Sequence, residues 1–259
     1  MAKRHIGVDL ARYQQKVDFP SLVVAGVEFA FIKCAGGATW VDPKFKENWQ
    51  ASKGILPRGA YLWFTDEDPF LQADHVISAL DAAGDRGELT IAVDFEWTDT
   101  KFRGQALLDR LRSCLARIHA VTGKPPILYT GNYYWVSWAS NLDAQDIVEM
   151  YPLWLAQYPR LHIDNVRECG TAPPVLPPPN CPKPWSSRNL KPLVWQFDGD
   201  HGCVLPNGID ADFNEYLGDD FDGFCGKTES MPETMPGADA NPFPLNMSIQ
   251  ESNGTEKSS

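Results

Sequence analysis

The sequence predicts an α/β domain in which five strand–helix units precede three further strands. That pattern closes an eight-stranded barrel with an incomplete outer ring of helices. Three observations carry it. Short, continuously apolar runs such as Phe29–Lys33 and Leu89–Phe95 suit strands covered on both faces. Amphipathic stretches that stop at a glycine separate these runs. After about residue 139 the rhythm changes, and no long amphipathic helix parts the last three strand-like segments. An open doubly wound sheet is the alternative topology. No G-x-G-x-x-G or P-loop follows any strand, so nucleotide binding has no support.

The elements follow in order. His5–Leu10 reads as a buried strand, and Asp18–Ala25 as a short helix with Asp18 as its N-cap. Phe29–Lys33 is the second strand. Asp42–Lys53 has helical spacing, with Phe45 and Trp49 one turn apart and Gly54 at the stop. Arg58–Phe64 is the third strand. Pro69–Ala83 is a helix opened by proline in its first turn and closed by Gly84. Leu89–Phe95 is the fourth strand. Arg103–Val121 is the longest helix, with Leu107, Leu111, Cys114, Leu115 and Ile118 in one stripe. Pro126–Thr130 is the fifth strand, followed by a short helix at Tyr133–Ala139. Pro152–Ala156, Leu193–Phe197 and Ile209–Phe213 are the last three strands. A proline-rich stretch, 160–191, reads as a loop insertion between two of them. From 226 to 259 the composition turns to Pro, Ser, Asn, Glu and Met, which predicts a disordered acidic tail beyond a domain of residues 1–225.

Bulk properties exclude several function classes. The chain has 259 residues, 43% hydrophobic, enough for a substantial core. Its net charge of −11, from 34 acids against 23 bases, argues against nucleic acid or an anionic membrane surface as main partner. No apolar run approaches the roughly 20 residues of a membrane span, so stable membrane insertion is not expected. The segment MAKRHIGVDL has no apolar h-region, so the expectation is synthesis in the cytoplasm without a signal peptide. The six cysteines form no C-x-x-C pair and have no histidine at ligand spacing, so no metal is expected. Cys34 and Cys114 read as buried thiols. Cys169 with Cys181 brackets the proline-rich loop and Cys203 with Cys225 brackets the last strand, and either pair could be a bridge in an oxidising compartment. The five histidines do not cluster, and no cofactor is called for.

The chemistry concentrates at the strand ends. In LTIAVDFEW, Asp94 and Glu96 stand two residues apart, and such a spacing puts side chains on one side of a strand. Two carboxylates so placed are costly to ionise together, so one pKa rises and leaves a proton donor beside an anion. Glycoside hydrolysis needs such a pair. In an α/β barrel the catalytic groups lie at the C-terminal strand ends. Those positions hold Asp9, Tyr61, Asp94 and Glu96, Tyr129, Trp154, Gln196, and Asp210 with Asp212. The expected mouth is therefore acidic and aromatic, with hardly any bases. It suits a glycosidase and is a poor match for phosphoryl or acyl transfer.

With these residues in place the chain resembles glycoside hydrolase family 25, the Chalaropsis-type lysozymes. The matching segments run from about His5 to Leu217: GVDLARYQ, FAFIKCAGGATWVDPKF, ASKGILPRGAYLWF, AVDFEW, GKPPILYTGNYYW, YPLWLAQY, LVWQF and IDADFNEY. The resemblance implies a TIM-like (β/α)5(β)3 barrel that cleaves the β-1,4 bond between N-acetylmuramic acid and N-acetylglucosamine in peptidoglycan glycan strands, with net retention. It implies Glu96 as general acid and Asp94 as nucleophile or as the group that orients the substrate's acetamide. Asp9 and Asp212 complete the catalytic set. Tyr61, Tyr129, Trp154, Gln196 and Asp210 are implied as substrate contacts. The single-domain form is similar to phage endolysins, which act on the bacterial wall after release. Three positions depart from the family pattern. Its second-strand loop glutamate is missing from Cys34-Ala35-Gly36-Gly37, its serine after the first aspartate is Ala11, and its histidine after the third-strand tyrosine is Leu62. Those losses keep two alternatives in view: a sugar-binding or virion-structural module on the same barrel, and a glycosidase of another N-acetylated polysaccharide.

Overall fold

The computed structural model describes residues 3–158, 179–199 and 211–227, all within one compact unit, 1–227. In chain order the elements are β1 (His5–Leu10), α1 (Phe19–Val24), β2 (Val27–Gly36), β3 (Trp40–Val41), α2 (Phe45–Ser52), β4 (Arg58–Trp63), α3 (Pro69–Ala83), β5 (Ala92–Asp94), α4 (Gly104–Thr122), β6 (Ile127–Gly131), α5 (Asn132–Trp138), α6 (Gln145–Met150), β7 (Leu153–Ala156), β8 (Val194–Asp198), β9 (Asp212–Tyr216) and α7 (Phe221–Phe224). The helix ends follow local chemistry. Asp18 accepts a hydrogen bond from Ser21 N at the start of α1, and Asp68 accepts from Phe70 N and Leu71 N at the start of α3. Gly84 and Gly123 adopt φ of 99° and 70° at the ends of α3 and α4, where a left-handed residue closes the last turn.

Strand β1 pairs in parallel with β2 and antiparallel with β9, so the sheet closes on itself. The ring runs β1-β2-β4-β5-β6-β7-β8-β9, and β3 joins only β2, as a short hairpin. Closure decides against the open doubly wound sheet. Six junctions, from β1–β2 round to β7–β8, are parallel; β9 runs against both its neighbours. The last strand therefore departs from the parallel pattern, and its described part starts at Asp212; Ile209 and Asp210 lie outside the described residues. A parallel return needs a crossover, usually a helix, whereas an antiparallel strand can re-enter from the end at which its predecessor left. Two short helices, α6 and α7, escape the sequence reading because six and four residues are too few to show a 3.6-residue period. Of the predicted insertion, 160–178 lies outside the described residues; within the remainder Trp185 is buried against Trp135. The proposed cysteine pairs each have one member, Cys169 or Cys203, outside the described residues. Cys34 and Cys114 are buried as expected. No helix among the described residues is long and apolar enough to cross a membrane.

The pleat divides the core into two layers. Outward strand residues such as Ile6, Val8, Leu10 and Ile32 pack under helix residues such as Leu80, Leu108, Leu111 and Leu115. Inward residues, among them Phe29, Phe31, Tyr61, Ile127, Trp154 and Val194, fill the barrel. Helix α7 covers the end opposite the strand C-termini, with Phe224 stacked on Tyr216 and edge-on to Phe29. Each buried side chain of this size contributes roughly 1.5–3 kcal/mol.

Two glycines make room for the interior rings. Gly7 lies opposite Phe29 and Gly59 opposite Phe31 in the ladder. A Cβ at Gly7 would come within 2.4 Å of the Phe29 ring, and one at Gly59 within 2.7 Å of Phe31. Phe31 in turn stacks on Trp154 with centroids 4.5 Å apart, which makes a closed floor beneath the barrel mouth. Gly59→Ala should therefore cost about 1–3 kcal/mol by overpacking. Urea denaturation would read the loss as a lower midpoint at unchanged slope; an unchanged midpoint would show that the interior has slack.

Candidate active site

Above that floor the C-terminal strand ends surround a cleft of about 780 Å³. Asp9 enters it from β1, Lys33 from β2, Tyr61 and Trp63 from β4, and Asp94 from β5, with Glu96 just beyond. Tyr129, Trp154, Gln196 and Asp212 enter from β6, β7, β8 and β9. Every site residue expected from the sequence lines the cleft except Asp210, which lies outside the described residues. Asp212 reaches the mouth through the start of its strand, because β9 is reversed; its Cα pairs with that of Asp9.

Asp9 is 8% exposed. Its Oδ2 accepts hydrogen bonds from Gln196 Nε2 and Asn214 Nδ2, both at 2.8 Å. Gln196 has its own orientation imposed: Oε1 accepts from the hydroxyls of Tyr129 and Tyr158 at 2.9 Å, leaving Nε2 to face Asp9 and, at 3.4 Å, Asp212. Asn214 is set in the same way, by Trp154 Nε1 donating to its Oδ1 at 2.7 Å. Burial pushes the Asp9 carboxyl well above the ordinary carboxylate range, and the charge of Asp212 adds to this; the Asn214 and Gln196 hydrogen bonds oppose the rise.

Asp94 is 4% exposed, and its Oδ1 has no hydrogen-bond donor among the described residues. Burial pushes its carboxyl up, the neighbouring Glu96 charge pushes further, and Lys33 opposes. Glu96 is half-buried. Burial and the adjacent charge thus raise the proton affinity of Asp94, the desolvated member at the strand end, while Glu96 lies nearer solvent. Burial also raises the phenols of Tyr61 and Tyr129, helped by the carboxylates around them, so both rings stay neutral.

The aromatics expected as sugar platforms have a second duty. Tyr129 and Trp154 are buried, their polar tips committed to Gln196 and Asn214, and their rings meet at 4.7 Å. They wall the cleft and hold its amides. Trp63 and Trp97 stand edge to face at 6.3 Å and also line it. The sequence reading missed these two, together with Lys33, Asn214, Glu67 and the lip residues Arg12, Tyr13 and Trp40. Lys33 and Asn214 carried a usable signal: each stands two residues after an inward position, Phe31 and Asp212. Glu67 carried none. It sits in the loop after β4, where its carboxylate accepts from Ala38 N at 3.0 Å and occupies the space a Cβ on Gly37 would need. The expectation of hardly any bases needs correction, since the lining holds two cations, Arg12 and Lys33, beside five carboxylates. They were missed because Lys33 read as the end of an apolar strand and Arg12 as loop. Among the described residues no three of His, Cys, Asp and Glu converge as a metal-ligand set. The arrangement can donate and accept protons through carboxyl groups and stabilise positive charge developing between them.

Comparison with known proteins gives a consistent picture. The model of glycosyl hydrolases family 25 matches residues 8–174. The chain is 30% identical over 167 residues to the uncharacterized protein YegX of Escherichia coli K12, covering 61% of this chain and 58% of that one. It is 28% identical over 162 residues to the N,O-diacetylmuramidase of a Chalaropsis species, covering 58% of this chain and 76% of the relative. Among solved structures, a muramidase from Acremonium alcalophilum shares the fold at a TM-score of 0.67 and 20% identity, covering 87% of this chain and 100% of the other.

The electrostatics have a measurable consequence. An unfolded aspartate loses its proton near pH 4, whereas folded Asp9 and Asp94 hold theirs to higher pH. The folded state thus binds more protons across that interval, and stability falls as pH rises from about 4 toward the raised values. Asp94→Asn removes the carboxyl whose ionisation burial penalises and should raise Tm at pH 7 by about 2–4 °C, on the order of 1 kcal/mol for a chain of this size. The gain should shrink toward pH 4, where wild-type Asp94 is already neutral. Paired thermal melts at the two pH values check this; a lower Tm at pH 7 would sink it.

Proposed function

The chain belongs to glycosyl hydrolases family 25, and from that premise we propose that it is a peptidoglycan hydrolase acting on the β-1,4 bond between N-acetylmuramic acid and N-acetylglucosamine. One observation carries the reading. A buried Asp94 and a half-buried Glu96 face one aromatic-walled cleft, opposite Asp9 and Asp212. Glu96, nearer solvent, delivers the proton to the leaving glycosidic oxygen. Asp94 takes the anionic form as positive charge develops on the sugar ring, its proton passing to Glu96, because the attraction then outweighs the desolvation that raises its proton affinity. Asp94 faces the cleft for attack at the anomeric carbon or for orienting the N–H of the substrate's acetamide, and either route retains the anomeric configuration.

Asp9, Asp212, Gln196 and Asn214 form a fixed frame on the other side. Their bonds are made before substrate arrives, so no reorganisation is needed during reaction. Tyr61 and the cleft tryptophans offer apolar faces to sugar rings. The reading places the enzyme's action at the bacterial cell wall and involves no cofactor.

Incubation of the protein with purified peptidoglycan tests it. Soluble muropeptides should appear with muramic acid at their new reducing ends, identified after borohydride reduction. Reducing-end glucosamine, or no release, would sink the reading. Glu96→Gln should lower the rate by about 10²–10⁴-fold, the range general acid catalysis contributes, with an unchanged far-UV spectrum. Near-full activity in that variant would reassign the acid.

A further inference from the structure

Arg12 sits oddly for a chain of net charge −11. Arg4, Arg58, Arg86, Arg112, Arg117 and Arg188 each rest on a carboxylate. Among the described residues Arg12, Arg103 and Arg110 have no such ion pair, and of these Arg103 and Arg110 donate to backbone carbonyls instead, away from the cleft lining. Arg12 is held by rings. Its guanidinium carbon lies 5.0 Å from the Tyr13 ring centroid and 5.3 Å from that of Trp40, and Nη2 donates to the Tyr13 hydroxyl at 3.2 Å.

The backbone beneath it is fixed as well. Arg12 N donates to Asp42 Oδ2 at 3.1 Å, and Ala11 N donates to Gln14 Oε1 at 2.8 Å, which ties down the turn that follows β1. Arg12 thus presents a pre-positioned guanidinium on the lip of the cleft, with most of its donors unspent. The other cleft cation, Lys33, is committed differently. Its Nζ lies 4.2 Å over the Trp63 ring and its charge offsets the burial of Asp94.

Five carboxylates in one cleft repel an anionic ligand. A glycan whose every second sugar carries a carboxylate, directly or through a peptide, therefore needs a cation where that group comes to rest. A planar guanidinium suits a carboxylate through two parallel N–H donors. Resting on the peptidoglycan reading above, we propose that Arg12 is a specificity residue that binds a carboxylate of the muramyl unit, either its lactyl carboxylate or one on its stem peptide. It sets the polarity with which the strand enters the cleft and separates this substrate from neutral N-acetylglucosamine polymers.

The test is equilibrium binding by calorimetry of the full chain to the disaccharide N-acetylglucosaminyl-β-1,4-N-acetylmuramic acid, which lacks the bond to be cleaved. Four forms are compared: free lactyl acid, lactyl amide, stem dipeptide with free carboxylates, and the same dipeptide amidated. Wild type should bind one acid about tenfold more tightly than its amide, as a charge-assisted hydrogen-bond pair implies, and the pair that shows it names the source. The preference should weaken with salt. Arg12→Gln should abolish the preference, and Arg12→Lys should keep part of it, which also shows that the lip has not unfolded. A preference that persists in Arg12→Gln, a wild type indifferent to amidation in both pairs, or no binding of any form overturns the proposal. Release of reducing-end muramic acid from peptidoglycan is scored separately. Cleavage without an Arg12-dependent preference rejects only this inference, and preference without cleavage rejects only the hydrolase reading.

Discussion

The buried carboxylate of Asp9 ties the barrel's closure to its cleft. It lies at the seam where the first strand meets the last, and its two hydrogen-bond donors come from β8 and β9. Neither donor is free to turn. Gln196 is oriented by two phenols and Asn214 by an indole, so the seam, the side walls and the acidic mouth form one connected set. A buried carboxylate left without donors would cost several kcal/mol. The reversed direction of β9 is what brings Asn214 and Asp212 to it.

The same closure gives the cleft an apolar floor. Phe29, Phe31 and Trp154 fill the interior, and they fit only because Gly7 and Gly59 lack side chains on the strands beside them. Asp9 and Asp94 sit on this apolar floor, where losing hydration raises their proton affinity. Stability is sacrificed there: the folded protein holds Asp9 and Asp94 in surroundings less hospitable to charge than water. Lys33 returns part of that loss at Asp94, and the Gln196 and Asn214 amides return part at Asp9.

The family's loop glutamate is absent at Gly36, yet the cleft is not short of a fifth carboxylate. Glu67 reaches across from the loop after β4 and packs against Gly37 and Ala38, close to where the missing side chain would begin. The ring-held Arg12, stacked on Trp40 of the same hairpin, gives an acidic cleft a cationic edge. A cleft with charge of both signs at separate places can discriminate the two ends of an asymmetric glycan, which a uniformly acidic one cannot.

The sequence alone determined the alternation of strands and helices, the cap at Asp18 and the stop at Gly84, and the inward carboxylates at Asp9, Asp94, Glu96 and Asp212. Each of these rests on local rules: a period of two or 3.6 residues, a side chain bonding to its own backbone a few positions away, or a glycine that closes a helix. Tertiary structure decided the rest. The pattern of a five-residue strand reads the same in either direction, so the reversal of β9 became visible only through its pairing with β1, some two hundred residues away in the chain. Arg12 and Glu67 stand in connections and Trp40 in a strand of two residues, with no period to betray which way they face. Tyr129 and Trp154 looked like platforms for sugar because a sequence does not show that Gln196 and Asn214 already hold their polar ends. What a side chain does in this cleft depends on partners brought to it by closing the ring.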